Sequence, residues 1–150
     1  MENYQQLLNN IDLIVKKFEE LDRINGSQFN IFSILNIEAD ELKHSLFIAE
    51  LLNPSGRHGF GSLFLELFLD KVNIKDFDKN SAIVETEKAI GLTTDEEGGR
   101  IDIFLKDKNN TTIVIENKIY ASDLPQQLLR YYCYAKHNVL YLNLNGDQPF

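Results

Sequence analysis

The sequence predicts an α/β fold with a mixed central sheet, and three features carry this prediction. Apolar residues recur at spacings of three and four in the first half of the chain, which is typical of helices packed by one face. From Ala82 to Lys118, alternating or short apolar runs indicate three strands. The helical spacing then returns before a last β-rich run at Val139–Leu144. Because this last helix joins two strands through a long crossover, we expect those two strands to be parallel.

The composition is that of one folded domain. The chain has 150 residues, of which 43% are hydrophobic, and this is enough apolar material to bury a core. A charged fraction of 25%, together with ten Phe and six Tyr, excludes a disordered chain. We expect a single domain over residues 1–150, with a helical extension at 1–36 and a core at 37–144. The chain could be the N-terminal part of a longer protein.

The net charge limits the partners of the chain. Fifteen Lys and Arg against 23 Asp and Glu give a net charge of −8. Such a chain lacks the overall basic field of a protein that holds nucleic acid non-specifically, so a nucleic-acid partner would need a local patch or a metal. No apolar run is long enough to span a bilayer, and the first residues do not resemble a signal peptide. We therefore expect no membrane partner and a cytoplasmic location.

Three helices are predicted before the sheet. The first has one apolar face and ends near Asn25-Gly26, and the second begins at Asp40, a good N-cap residue, and stops at Asn53-Pro54. The third is short and very apolar. The segment Phe29–Leu35 is apolar but ambiguous between helix and strand. The predicted helices cover residues 7–21, 42–52 and 62–72.

The strand region ends in a hairpin and a crossover helix. Arg100–Lys106 and Thr111–Lys118 are predicted strands, and the turn formers between them, Asp107 to Asn110, predict a hairpin. Asp123 is expected to cap the following helix, with Pro125 in its first turn. Cys133, on this helix, is the only cysteine, which excludes an internal disulfide, and we expect it to be buried.

Three ionisable residues interrupt the most apolar strands. Asp102 lies in the second predicted strand, and Glu116 and Lys118 lie in the third. Burying such groups is costly unless they pair or hold a metal. If the hairpin turns near Asn109, Asp102 lies across from Glu116 with the Cβ atoms about 5 Å apart. A divalent cation would remove the repulsion between the two carboxylates, and hard oxygen ligands suit Mg²⁺.

The lysine completes this pattern. Lys118 follows Glu116 by two residues, so both side chains lie on one face of the strand. An ammonium beside a metal can orient an attacking water or neutralise charge that develops on a phosphate. The three residues therefore predict metal-assisted hydrolysis of phosphodiesters. A buried ion pair between Lys118 and one acid explains the same pattern, and spacing alone does not separate the two interpretations.

The same residues resemble the signature of the PD-(D/E)XK nuclease superfamily. Asp102, followed after a hairpin by Glu116-Asn117-Lys118, matches its central motif, and Gln127 and Tyr131 match a Gln-x-x-x-Tyr element on the next helix. The Pro that names the superfamily is absent, because Ile101 precedes Asp102. Other segments resemble a little-characterised bacterial group within it, over roughly residues 37–144: Glu41-x-x-His44-Ser45, Asn53-Pro54, His58-Gly59 and Gly99-Arg100-Ile101-Asp102-Ile103.

The resemblance implies a restriction-endonuclease-like core with the order αβββαβ, preceded by extra N-terminal helices. It implies that Asp102, Glu116 and the main-chain carbonyl of Asn117 bind Mg²⁺, for which Mn²⁺ can substitute. Superfamily members often add a glutamate from the helix before the sheet. Glu41 is the best match for this further metal-binding and catalytic acid, and Glu50 is an alternative on the same helix. Glu87, on the first predicted strand, is a third candidate if its face of the strand is the active one.

Other site residues follow from the same resemblance. Lys118 would act on the water or the scissile phosphate, and Gln127 would steady the active-site face. Tyr131, one turn further along the helix, is expected to contact the nucleic-acid backbone. Arg57 and His58, in a glycine-rich loop, are candidates for phosphate contact, and a loop-stabilising contact explains His58 equally well. Arg100 is expected to form a salt bridge with the acidic loop at residues 95–97.

The sequence supports two functions from different classes. The first is a Mg²⁺-dependent nuclease that hydrolyses phosphodiester bonds, most simply those of DNA, with metal-activated water. Such a nuclease could act as a homodimer. The second is a catalytically silent module of the same fold that binds nucleic acid or a protein partner. The complete set of acids, lysine and glutamine favours the enzyme, and the acidic net charge favours the module.

Overall fold

In the computed structural model, the described residues are 2–26, 29–94, 97–120, 126–136 and 138–146. The chain divides into two compact units, Met1–Glu38 and Ala39–Phe150. The first contains helix α1 (Glu2–Asn25) and the single-turn helix α2 (Ile31–Ile34). The second contains the whole sheet and the remaining helices. In the described ranges, no helix has the length and apolar character needed to cross a membrane.

In the first unit, nearby residues in the sequence explain where α1 ends and where α2 begins. α1 ends where Gly26 adopts a left-handed conformation with φ +64, which glycine tolerates without steric cost. The ambiguous segment at Phe29–Leu35 contains α2, which is capped by Asn30. The Asn30 Oδ1 accepts hydrogen bonds from the backbone N–H groups of Phe32 and Ser33 at 2.9 and 3.4 Å.

Two helices precede the sheet in the second unit. α3 (Glu41–Leu52) begins at the predicted cap, since Asp40 Oδ1 accepts a hydrogen bond from the Lys43 N–H at 3.0 Å. α4 (Leu63–Lys71) follows a loop that contains three glycines. A 3-10 turn at Lys79–Ser81 then leads into the first strand.

The sheet has four strands in chain order: β1 (Ile83–Ala89), β2 (Arg100–Lys106), β3 (Thr112–Lys118) and β4 (Asn138–Asn143). The first three are antiparallel neighbours, and β3 and β4 run parallel. α5 (Gln127–Ala135) joins β3 to β4. The predicted mixed sheet and its αβββαβ order are confirmed. The predicted cap Asp123 and the neighbouring Pro125 lie outside the described residues.

The central strands are covered on both faces, which explains why they are apolar almost throughout. One face of β2 and β3 packs against α3 and α4, and the other packs against α5. Phe104 and Val114 lie on the α5 side, in contact with Tyr131 and Ala135. Because side chains alternate along a strand, Asp102 shares the face of Phe104, and Glu116 shares the face of Val114.

The prediction that Cys133 is buried is wrong, because its thiol is exposed. Arg130, Tyr131 and Ala135 are the buried residues of α5, and the last two lie one helical turn apart. Cys133 lies midway between them in the sequence and therefore points away from the sheet.

The β2–β3 hairpin is fixed by a buried carboxylate in its turn. Asp107 is 4% exposed, and its Oδ1 accepts hydrogen bonds from the N–H groups of Asn109 and Thr111 at 2.9 and 2.8 Å. Its Oδ2 accepts a third from the Asp78 N–H at 2.9 Å, which ties the turn to the segment before β1. Burial tends to raise the pKa of Asp107, but these three N–H donors outweigh it and lower the pKa.

We expect Asp107→Asn to lower the free energy of unfolding by roughly 2 kcal/mol near neutral pH, because an amide N–H₂ would then face a backbone donor. A carboxylate whose folded-state pKa is lowered stabilises fully above its unfolded pKa and loses this contribution as the pH falls. The difference between parent and variant should therefore shrink between about pH 6 and about pH 3. Urea denaturation at several pH values measures it.

The matched control for this prediction is Asp76→Asn, because Asp76 is exposed in the same segment. We expect it to change the unfolding free energy by less than about 0.5 kcal/mol. A difference between parent and Asp107→Asn that stays constant with pH would contradict the account of this turn.

Candidate active site

The β2–β3 hairpin brings the two predicted metal-binding acids together. Ile103 pairs with Ile115, so Asp102 and Glu116, the next residues along the two strands, lie opposite each other. The ladder of backbone pairing stops here, because Asp102 Oδ2 accepts the Asn117 N–H at 2.8 Å. The two carboxyl groups are close enough to share a hydrogen bond when one of them carries a proton.

Glu116 is the most unusual residue of the site. It is 0% exposed, and no backbone N–H in the described part of the chain donates a hydrogen bond to either carboxylate oxygen. Lys118 Nζ lies 2.7 Å from Glu116 Oε1, so the two groups form a close ion pair. Buried carboxylates normally have donors, because burying one without them costs several kcal/mol. A divalent cation fits such a pair of oxygens.

The pKa values of the two acids indicate that the site has too little positive charge to balance both carboxylates. Burial raises the pKa of Glu116 to about 7, with the nearby Asp102 adding to the rise and Lys118 opposing it. Burial also raises the pKa of Asp102. Burial tends to lower the pKa of Lys118, but Glu116, Asp102 and Glu41 together raise it, so the ammonium keeps its proton. The two acids therefore disfavour carrying negative charge at the same time.

Glu41 lies near the two acids but does not join them in one cluster. It lines the same cleft, and its Oε1 accepts hydrogen bonds from the Ile119 and Tyr120 N–H groups at 2.8 and 3.3 Å. Among the residues that the structure describes, no group of three Asp, Glu, His or Cys side chains could hold a metal. The metal-binding role of Glu41 stays a prediction, and one of its two carboxylate oxygens is held by backbone donors at the end of β3.

The Asn117 side chain has a function that the sequence analysis missed. It is 4% exposed, and its Nδ2 donates hydrogen bonds to Ser45 Oγ at 3.1 Å and to the Glu41 carbonyl at 3.3 Å. These bonds tie the first turns of α3 to β3. The available signal was a polar residue inside a strand that is otherwise buried.

The Gln-x-x-x-Tyr element forms a chain of hydrogen bonds along the wall of the cleft. Gln127 Nε2 donates to the Tyr131 hydroxyl at 2.9 Å, and this hydroxyl donates to the Arg100 carbonyl at 2.5 Å. Tyr131 is 1% exposed. The predicted contact between Tyr131 and the nucleic-acid backbone does not fit this position, because the hydroxyl is buried and already bonded on both sides. Tyr131 instead positions Gln127 and the start of β2.

Gly99 makes this arrangement possible. Its φ is +122, which side chains rarely allow, and a Cβ atom there would approach Tyr131 Cε1 to 3.3 Å. The Gly99-Arg100 pair therefore has a structural reason, since the ring of Tyr131 packs directly against the backbone.

The cleft around these residues has a volume of 730 Å³. Glu87 lines it from β1 and has φ +53, so it interrupts the pairing with β2 opposite Asp102. Its Oε2 lies 2.8 Å from Arg100 Nε, so Arg100 pairs with Glu87. Residues 95 and 96 of the acidic loop, with which a salt bridge was predicted, lie outside the described residues. Arg130, which the sequence analysis did not single out, also lines the cleft and is 5% exposed. The positive φ of Glu87 is a backbone strain of the kind that is typical of functional sites.

Arg57 and His58 do not line this cleft. His58 Nδ1 accepts a hydrogen bond from the Phe60 N–H at 3.1 Å, and Nε2 lies 3.1 Å from the Asn53 carbonyl. Both ring nitrogens therefore hold the loop, which is the stabilising function and not the predicted phosphate contact. The Arg57 N–H donates to Glu50 Oε1 at 2.5 Å, so Glu50 belongs to this loop and not to the acid site.

The family of the chain follows from comparison with known proteins. The sequence profile of the PD-(D/E)XK nuclease superfamily matches residues 29–147, and the chain belongs to this superfamily. The superfamily is one of nucleases, whose substrates are nucleic acids and whose members typically use divalent metal ions. The resemblance found in the sequence is therefore confirmed at the level of the family. No curated protein and no solved structure matches the chain.

Proposed function

We propose that the chain is a divalent-metal-dependent nuclease that hydrolyses phosphodiester bonds of DNA. The observation that carries this proposal is the Glu116 carboxylate, which is 0% exposed and receives no backbone hydrogen bond in the described part of the chain. It lies beside Asp102, with the Lys118 ammonium 2.7 Å away. A protein that used this site only for stability would gain more from an apolar residue at position 116.

The residues present fit a hard divalent cation. Asp102 and Glu116 would hold Mg²⁺ or Mn²⁺ with the main-chain carbonyl of Asn117, because all three offer oxygen ligands. When bound, such a cation polarises a phosphoryl oxygen and lowers the pKa of water. Glu41 would support the site indirectly, because its carboxylate accepts hydrogen bonds from the Ile119 and Tyr120 N–H groups and so fixes the end of β3.

Lys118 has the position and the charge to act on the substrate. Its side chain is 12% exposed and lines the cleft. The acids around it raise its pKa, so its ammonium can donate a hydrogen bond to a phosphate oxygen or orient the attacking water. Gln127 donates to the Tyr131 hydroxyl, which donates to the Arg100 carbonyl, and these bonds keep this wall of the cleft rigid.

The test is an assay of the purified protein with plasmid DNA, single-stranded DNA and RNA, in Mg²⁺, in Mn²⁺ and in EDTA. We expect cleavage of DNA that requires a divalent cation and that is lost in both Asp102→Ala and Lys118→Ala. Cleavage that persists in both variants would identify a contaminating nuclease. A parent that binds DNA in the presence of a cation and never cleaves it would support the silent binding module.

A further inference from the structure

A second cleft lies on the same side of the sheet as the acid site. It has a volume of 540 Å³, and its lining includes Lys88, Phe104, Lys106, Tyr134 and Lys136. β1 and β2 supply the first three residues, Tyr134 lies in the last turn of α5, and Lys136 is the C-cap of this helix. We call it the lysine cleft. Neither the family match nor the acid site assigns a function to it.

The lysine cleft concentrates positive charge in an acidic chain. It contains three lysines and one acid, Glu85, whereas the chain as a whole has a net charge of −8. Glu85 pairs with Lys88, whose ammonium also lies 4.7 Å from the centroid of the Phe104 ring. Lys106 and Lys136 are exposed, and neither has an ion-pair partner among the residues that the structure describes. Two ammonium groups are therefore available for an anionic ligand.

An aromatic side chain accompanies these cations. Tyr134 is 47% exposed, and its ring lies 6.0 Å from that of Phe104 at an angle of 60°. Thr112 Oγ donates a hydrogen bond to the Ala135 carbonyl at 3.0 Å, which fixes the end of α5 against β3. The ring and the Lys136 backbone are thus held by the sheet. A basic groove with a fixed exposed ring is the combination that binds single-stranded nucleic acid.

The lysine cleft is aligned with the acid site. Asp102 and Lys106 lie on one face of β2, because they are four residues apart, and this spacing corresponds to about 13 Å along the strand. Phosphates of one strand follow each other at intervals of a few ångströms along a helix axis, so this distance corresponds to a few nucleotides. A single strand of a few nucleotides is therefore long enough to span both places.

We propose that the lysine cleft binds the backbone of a single nucleic-acid strand, a few nucleotides from the bond that the acid site cleaves. Lys106 and Lys136 contact phosphates, and Tyr134 stacks on a base. The inference rests on the proposed nuclease function for the position of the cleaved bond relative to the lysine cleft. Binding of the strand itself does not require catalysis. It also accounts for how an acidic protein holds a polyanion.

The test measures binding of a fluorescent single-stranded DNA oligonucleotide by anisotropy in EDTA, where a metal-dependent nuclease does not cleave. The double variant Lys106→Glu/Lys136→Glu should bind at least about tenfold more weakly than the parent and show a shallower dependence on salt. Tyr134→Ala should weaken binding about fivefold. The matched control Lys71→Glu/Lys75→Glu changes the net charge equally, at exposed lysines outside the cleft, and should bind within about twofold of the parent.

The outcomes separate this inference from the nuclease proposal. Cleavage of DNA by the parent, together with equal affinities of the parent and the cleft variant, would overturn the inference and leave the nuclease function intact. Lysine-dependent binding without any cleavage would support the inference and overturn the nuclease function. Parallel loss of affinity in the cleft variant and the control variant would also overturn the inference, because it would show an effect of net charge alone. Thermal melting of each variant confirms that it is folded.

Discussion

Replacement of Asp102 by asparagine is expected to reduce DNA hydrolysis at least about 10³-fold, because a metal contributes several kcal/mol to the transition state. The variant should remain folded. Asparagine keeps an oxygen that can accept the Asn117 N–H, and it removes a negative charge opposite Glu116. Because the pKa of Asp102 is raised in the folded protein, its charge does not stabilise the metal-free state.

Two measurements on Asp102→Asn test this prediction. The first is the rate of cleavage, and the second is the melting temperature with and without Mn²⁺. The parent should melt at a higher temperature when Mn²⁺ is added, and the variant should not. An Asp102→Asn protein that cleaves at the parent's rate would contradict the assignment of this acid. A large drop in its melting temperature without metal would contradict the proposed electrostatics of the site.

Replacement of Lys118 by methionine is expected to reduce cleavage about 10²- to 10³-fold while cation binding remains. Methionine preserves much of the apolar stem and removes only the charge that lies 2.7 Å from Glu116 Oε1. A bound cation would then face one positive neighbour fewer, so its affinity should be equal to or higher than in the parent. Asp102→Asn should behave differently, because it should lose cleavage and also bind the cation more weakly.

The control for Lys118→Met is Lys75→Met, because Lys75 is an exposed lysine in the loop after α4. It should cleave and bind Mn²⁺ like the parent. If Lys118→Met lost cation binding together with cleavage, the lysine would be a structural partner of the acids and not a group that acts on the substrate.

The fold could be predicted from the sequence because its signals are local. Alternating residues and a turn rich in Asp and Asn placed the β2–β3 hairpin, and the hairpin alone put Asp102 opposite Glu116. The period of two placed Lys118 on the same face as Glu116, and the structure brings their charged groups into contact. The helix cap at Asp40 is equally local, since it involves residues only three positions apart.

The other features of the site depend on contacts between distant segments. Glu41 receives hydrogen bonds from residues more than seventy positions away, and the sequence does not show that they would hold its carboxylate. Tyr131 is buried because its hydroxyl reaches the Arg100 carbonyl, 31 positions earlier. The burial of Arg130 and the exposure of Cys133 both follow from the rotation of α5 about its axis. The apolar periodicity did not determine this rotation, because α5 is short and carries aromatic residues on several sides.

The structure also resolves how acidic residues share the cleft. The sequence left Glu41, Glu50 and Glu87 as alternatives for completing the site. Glu50 accepts the Arg57 N–H in a separate loop, and Glu87 pairs with Arg100 across the start of β2. The neighbourhood of Asp102 and Glu116 thus contains further acids with oxygens bonded to other groups, and we propose that Asp102 and Glu116 are the pair that holds a cation.

Calorimetric titration of Mn²⁺ into the metal-free protein tests the central claim most directly, because it needs neither substrate nor turnover. The account predicts that the parent and Lys118→Met bind the ion, and that Asp102→Asn and Glu116→Gln bind it at least about tenfold more weakly. Equal affinity of the parent and both acid variants would contradict the claim that these two carboxylates hold one cation.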